Sequence, residues 1–278
     1  MYSMILARRT LLALVLSCFA ATAIAQAQPA AKPVFEPEVG QAGKDVVWVP
    51  TAQGLVDRML DMAKLTPKDI HYDLGSGDGR TVITAAKRGA TAYGVEYNPD
   101  MVELSRRNAA KEGVTGKATF IHGDIFETDF SKATVITLFL LPDLNVRLRP
   151  TILDMKPGTR VVSNSFTMGD WKSDETQGAK GDCTSYCTAY MWIVPAKVEG
   201  IWKSGNEEIK LAQEFQMVHG SVGHSGKLVP VTNGRLRGDQ ISFTAGEGRY
   251  AGKVSGNRIE GTVTAGGKTA PWTATHSK

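Results

Sequence analysis

Residues 69–80, Asp69-Ile70-His71-Tyr72-Asp73-Leu74-Gly75-Ser76-Gly77-Asp78-Gly79-Arg80, decide the fold. Asp69 to Leu74 is a short apolar run suited to a buried parallel strand, and Arg80 to Arg88 carries Val82, Ile83, Ala85 and Ala86 at helical spacing. Between them Gly75, Gly77 and Gly79 remove every second Cβ. The backbone can therefore turn sharply there and let a ligand approach.

Charge and spacing narrow the ligand. A dinucleotide loop reads G-x-G-x-x-G and rests a pyrophosphate on the helix N-terminus. Here the spacing is G-x-G-x-G, and Asp78 stands where a phosphate would arrive. A carboxylate repels a diphosphate and suits a ligand with an ammonium and a sulfonium, so the reading favours S-adenosylmethionine over NAD. Three acidic residues at successive strand ends extend it. Asp73 ends the first strand and, with Gly75, Ser76, Gly77 and Asp78, faces the methionine part. Glu96 ends the second, its two acceptor oxygens suited to a ribose diol. Asp124 follows the third, placed to accept from the adenine amino group while Ile125 packs the ring. Taken singly, each acid also has an ordinary use as a helix cap, a lysine partner or a turn opener.

Outward from the loop, strand and helix alternate. Ala92 to Glu96 reads as a strand, Pro99 to Lys111 as a helix, Ala118 to Gly123 and Thr134 to Leu141 as strands, Leu144 to Met155 as a helix, and Thr159 to Phe166 as a strand. Tyr190 to Ala196 reads as a sixth strand. Such βα alternation predicts an α/β, doubly wound (Rossmann-like), mostly parallel sheet over 47–196. Residues 197–278 change character. Glycine becomes frequent, and two copies of an alternating pattern turn at Gly238-Asp239 and Gly256-Asn257. They predict a small C-terminal antiparallel β domain with Trp202, Phe215, Phe243 and Trp272 as its core, acting as a cap on the open sheet or as a substrate-binding module.

At the front, Arg8 and Arg9, the apolar run Leu11 to Ala21 and an A-x-A site near Ala25 or Ala27 read in order as a signal peptide over 1–27. The run is shorter than the ~20 residues of a membrane span, so no stable span is expected after cleavage. A flexible lead-in rich in Pro, Ala, Gln and Lys follows over 28–46. The expected location is periplasmic or secreted, or cytoplasmic if the leader does not function. Cleavage removes Cys18 and leaves Cys183 and Cys187, which in an exported chain read as a disulfide, since a metal would need four ligands. The net charge of +4 comes with no basic run, so no nucleic-acid partner and no metal are expected.

Val49-Pro50-Thr51, the loop from Asp73 to Arg80, Gly94-Val95-Glu96-Tyr97-Asn98-Pro99, Ser105-Arg106, and Leu140-Leu141-Pro142 with Asn145 together resemble class I S-adenosylmethionine-dependent methyltransferases. Within that class they are similar to the bacterial relatives of the mitochondrial ATP synthase c-subunit lysine methyltransferases. The resemblance covers roughly residues 47–171. It implies that Asp73, Gly75, Gly77, Glu96 and Asp124 bind cofactor, that Pro50-Thr51 closes over it, and that Leu141-Pro142 and Asn145 sit beside the transferred methyl. The leader and the β-rich tail depart from the mitochondrial pattern. Asn145, Asp143 and Tyr97 are the candidates for orienting or deprotonating the acceptor, with Asn145 suited only to orienting. The methyl acceptor expected is a protein lysine or a small nucleophile. A chain exported away from the site of cofactor synthesis could instead keep the fold and bind without catalysis.

Overall fold

The computed structural model describes residues 35–277 apart from Lys180, Asp182 and Ser225. The expected leader, Cys18 and the start of the lead-in lie outside the described residues. Residues 35–48 fold back on themselves. Gly40 N donates to the Trp48 carbonyl at 2.8 Å, Trp48 N donates to Gln41 at 2.9 Å, and Ala42 bridges Val47. Helix α1 (Gln53–Met62) follows and buries Leu55, Val56, Met59, Leu60 and Met62 along one face.

The glycine-loop unit forms as its pattern requires, with β1 (Ile70–Leu74), α2 (Arg80–Lys87) and β2 (Thr91–Glu96). Helix α3 (Pro99–Lys111) starts where Asn98 Oδ1 accepts from Asp100 N at 2.9 Å and Pro99 fixes the first turn. The series continues through β3 (Ala118–His122), β4 (Val135–Leu138), α4 (Pro142–Leu153), β5 (Arg160–Asn164), β6 (Glu175–Gly178) and β7 (Thr188–Ile193). These strands make one sheet in the order β3-β2-β1-β4-β5-β7-β6, with β1 to β5 parallel and β7 antiparallel to both neighbours. The doubly wound sheet is as expected, with three shifts. The fourth strand stops at Leu138, three residues early, because Pro142 begins a helix and Phe139 to Leu141 must serve as its approach. Ser165 takes a left-handed φ of 58° and ends β5 before Phe166. The edge strand β6 is short and polar, and carries too little periodicity to be read in advance.

The tail is a closed barrel of eight antiparallel strands: β8 (Gly200–Ser204), β9 (Glu207–Glu214), β10 (Met217–His224), β11 (Lys227–Arg237), β12 (Gln240–Ala245), β13 (Gly248–Ser255), β14 (Arg258–Ala265) and β15 (Lys268–His276). The two expected turn dipeptides close the β11–β12 and β13–β14 hairpins, and β15 pairs with β8 to close the ring. Closure leaves no unpaired sheet edge. Trp202, Phe243 and Trp272 fill its interior as expected, with Val198, Ile209, Leu236 and Ile259. Gly220 lies where the β10 backbone nearly touches β9, and a Cβ there would fall 1.8 Å from the Lys210 carbonyl oxygen.

Phe215 is a correction: it leaves the barrel and packs into the core of the main sheet. Its ring stacks on Trp171 at 6.0 Å, and Trp171 meets Trp192 of β7 at 6.1 Å. Beside it Gln216 Nε2 donates to the Lys172 carbonyl at 2.8 Å. Arg235 of β11 pairs at 2.6 Å with Asp174, whose side chain is buried and also accepts from Ile193 N. The barrel thus supplies part of the sheet's own core.

Candidate functional site

The parallel register sets Asp73 level with Gly94 on one side and Thr137 on the other, so the carboxyl ends of β1, β2 and β4 open together into one cavity. This is where doubly wound sheets hold ligands. The cavity is about 380 Å³, a size suited to a small cofactor. Thr51, Asp73, Gly75, Ser76, Gly77, Asp78, Glu96, Asp124, Ile125 and Tyr97 all line it, so every expected cofactor residue is brought to one wall.

Asp73 is buried, and Thr137 donates to its Oδ1 at 2.6 Å. His71 Nε2 lies 2.8 Å from the same Thr137 hydroxyl. Since that hydroxyl spends its proton on Asp73, His71 Nε2 carries the hydrogen and donates to it. Burial holds the imidazole neutral, with its pKa lowered to about 3. The result is a row of donors aimed at one carboxylate. Burial nonetheless pushes Asp73 up to about 7 against the opposing Thr137 bond, helped by the charges of Asp78 and Glu96. The site is short of one positive charge.

Glu96 is pre-set by the backbone: Oε2 accepts from Gly77 N at 2.9 Å and Oε1 from Asn98 N at 2.9 Å. Each oxygen keeps a lone pair for a ligand hydroxyl. Ser76 Oγ, on the cavity wall, is buried with no hydrogen-bond partner. An orphaned donor, an acid lacking a cation and a carboxylate with spare lone pairs fit the amino-acid and ribose ends of S-adenosylmethionine.

Asp78 behaves differently from its expected part. Arg80 clasps its carboxylate at 2.6 Å and donates to the Thr51 carbonyl at 2.9 Å. Its charge is therefore compensated, and it ties the Pro50-Thr51 segment to the glycine loop. Asp124 is paired too, with Lys44, whose ammonium sits 4.6 Å over the Tyr97 ring and holds the Asp124 carboxyl below its usual range. The segment around Lys44 and Trp48 thus covers the cavity beside Asp124 and the glycine loop, a contribution that its Pro- and Gln-rich setting concealed.

The methyl-transfer candidates divide. Tyr97 lines the cavity beside Lys44, on the Glu96 side. Asp143 does not reach the wall, because the first turn of α4 leaves it exposed. Asn145 is fully buried behind the wall, its Nδ2 donating to the carbonyls of Phe166 at 3.4 Å and Thr167 at 3.2 Å. Its Oδ1 has no partner. At that end the wall is apolar: Phe139, Leu140, Leu141, Leu144 and Phe166, with Tyr186 at the mouth. Phe139, Phe166 and Tyr186 escaped the sequence reading because isolated aromatics after strands carry no periodic signal. Cys183 and Cys187 form the expected disulfide, Cα to Cα 5.8 Å. No cluster of metal-ligating side chains occurs among the described residues. No helix among them is long and apolar enough to cross a membrane.

Gly77 gives a local test. Its φ is +54°, and a Cβ would fall 2.7 Å from Trp48 Nε1. Gly77→Ala should push Trp48 off the loop and weaken S-adenosylmethionine binding by about tenfold, read by calorimetry beside Gly113→Ala, whose Cβ would meet nothing within 4 Å.

Comparison with known proteins agrees with this geometry. Residues 73–175 match the model of the ANTKMT methyltransferase domain. A protein-lysine N-methyltransferase of Saccharolobus islandicus (strain REY15A) is 43% identical over 152 residues, 54% of this chain and 94% of its own length. The Homo sapiens lysine N-methyltransferase of the ATP synthase c-subunit is 33% identical over 47% of this chain, which spans 56% of that protein. A crystal structure described as an RNA methyltransferase from Salinibacter ruber in complex with S-adenosyl-L-homocysteine is 47% identical, with a TM-score of 0.50 over 54% of this chain and 96% of that one. With the strand order, the glycine loop and the acidic cavity wall, these matches give the family: the chain belongs to the class I S-adenosylmethionine-dependent methyltransferases, in the group that carries the ANTKMT methyltransferase domain.

Proposed function

We propose that this chain is an exported methyltransferase that modifies a lysine side chain of a protein. The observation that carries the reading is the cavity's division into an acidic end at Asp73 and Glu96 and an apolar, aromatic end at Phe139, Phe166 and Tyr186. Asp73, Ser76 and Glu96 would hold S-adenosylmethionine, which would supply an electrophilic methyl group for an acceptor nitrogen that gives up one proton, the sulfonium sulfur keeping the C–S electron pair. The chain's residues supply alignment and a dry wall, and positioning of this kind contributes about 7–11 kcal/mol. Among the described residues no carboxylate or imidazole stands at the aromatic end, so the acceptor's proton leaves through the mouth to water.

Two further observations support the acceptor and the location. Among the described residues that line the cavity the cations are Lys44 and Arg80, each paired with a carboxylate, which leaves none free to hold a phosphodiester. That distinction matters because the S. islandicus relative is named for protein lysine and the S. ruber structure for RNA. The Cys183–Cys187 disulfide suits an oxidising compartment, as the leader does. The exported binding protein without catalysis is the competing outcome.

The test combines S-adenosylmethionine calorimetry on the oxidised protein with transfer of labelled methyl groups to lysine peptides, RNA and periplasmic proteins. Binding should be weakened about tenfold or more in Glu96→Ala, which loses the ribose acceptor and two loop bonds, and label should appear on lysine. Binding without transfer to any pool would establish the non-catalytic reading, label on RNA would replace the acceptor, and no binding by a folded protein would end the proposal.

A further inference from the structure

The Cys183–Cys187 loop brings a third ring to the cavity mouth. Tyr186 lies within it, 44% exposed, with a left-handed φ of 54° that a tyrosine adopts only when its surroundings impose it. Its ring meets Phe139 edge-on at 5.2 Å and Phe166 at 5.9 Å, while Phe139 and Phe166 stack at 6.1 Å. The three rings come from three different elements: the approach to α4, the turn after β5 and the loop before β7. The last two are separately held. Asn145 fixes the Phe166 carbonyl from behind, Ser165 N donates to the Thr188 carbonyl at 2.7 Å, and the disulfide closes the loop that carries Tyr186. A strained residue, covalently tethered over a cavity and packed against two wall aromatics, is poorly explained as filler.

Resting on the amine-acceptor reading above, we propose that Phe139, Phe166 and Tyr186 form an aromatic collar that selects an unbranched alkylammonium side chain, with Tyr186 as the specificity-determining member and the disulfide as its mount. Three clustered rings lining the cavity offer faces and edges to a cation on a slender apolar stem, and a desolvated setting strengthens that attraction. A bulky or anionic acceptor gains nothing from it. The exposed Leu141 at the rim adds apolar surface for the chain flanking the acceptor. On this view Asn145 is a positioning residue for Phe166.

The test uses the oxidised protein with S-adenosylhomocysteine present, and two probes: N-acetyl-lysine methylamide and its norleucine counterpart, which keeps the four-carbon stem and lacks the ammonium. Calorimetry should show the lysine probe binding more tightly than the norleucine probe. Tyr186→Ala should weaken the lysine probe about tenfold and narrow the difference, with S-adenosylhomocysteine affinity unchanged. Tyr186→Phe should keep it, since the ring and not the hydroxyl acts. Cys183→Ser with Cys187→Ser should fall between. Under turnover the Tyr186→Ala loss should appear in the acceptor KM and not in kcat. Equal binding of the two probes by the native protein, or a Tyr186→Ala effect under twofold, overturns the collar. Cation-selective probe binding lost in Tyr186→Ala, with no methyl transfer to any amine, would keep the collar and reject the lysine methyltransferase reading.

Discussion

Asp73→Asn should remove most of the pH dependence of cofactor binding and stabilise the ligand-free protein above neutral pH. Asp73 is buried with its pKa raised to about 7 from an ordinary 3.8, chiefly by burial and against the Thr137 bond. Between those two values the unfolded chain has lost the proton and the folded chain keeps it. Stability therefore falls as pH rises from about 4 to about 7 and levels off above, a decline of a few kcal/mol by linkage. Asparagine does not titrate and should flatten that part of the profile. Binding runs the opposite way. A ligand ammonium stabilises ionised Asp73, so below pH 7 each binding event should release a proton, and affinity should fall about tenfold per pH unit. At pH 8 the loss of the charge-assisted contact should weaken S-adenosylmethionine about 10- to 100-fold in the variant. Calorimetry at pH 6 in two buffers of different ionisation enthalpy reads the released proton directly. Equal heats in both buffers would show that Asp73 is already ionised in the free protein.

His71 shows why sequence alone stops short of this result. Its place in a buried strand was legible, and packing is the ordinary expectation there. Its use depends on the parallel register that sets Thr137 of β4 beside Asp73 of β1, a pairing across 64 residues that no local pattern encodes. Local signals carried the glycine loop, the Asn98-Pro99 helix start and the hairpin turns, because each rests on a few neighbouring residues with special backbone needs. Asp73, Glu96 and Asp124 were legible for the same reason, as acids at strand ends. What escaped was made by distant segments meeting. Arg80, which clasps Asp78 two residues away, reaches the Thr51 carbonyl only because that segment folds back over the loop, and Tyr186 reaches Phe139 only because β7 runs antiparallel beside β5. Asn145 is a candidate by the resemblance, and Asp143 lies two residues from it. The helix beginning at Pro142 leaves Asp143 exposed and Asn145 buried.

Deleting residues 198–278 should leave a chain that does not fold, which distinguishes a structural cap from a detachable module. Without the barrel, the Trp171 ring loses the Phe215 face it stacks on, and Asp174 loses its Arg235 partner. Uncovering large core aromatics is among the few mechanisms that cost several kcal/mol, a large share of the 5–15 kcal/mol margin of a domain. The covered surface includes β7, whose Trp192 indole donates to the Trp171 carbonyl at 2.8 Å, so the damage reaches the strand on which the Cys183–Cys187 loop is mounted. Phe215→Ala in the full chain is the milder companion, expected to cost about 3 kcal/mol while retaining one cooperative transition. Circular dichroism and thermal melts of both read the outcome. A soluble 1–197 fragment that melts cooperatively and binds S-adenosylhomocysteine would instead make the barrel a separable unit. The shared Trp171–Phe215 core argues against that result, because a barrel evolved only to carry a partner surface would have no reason to bury one of its turns in its neighbour.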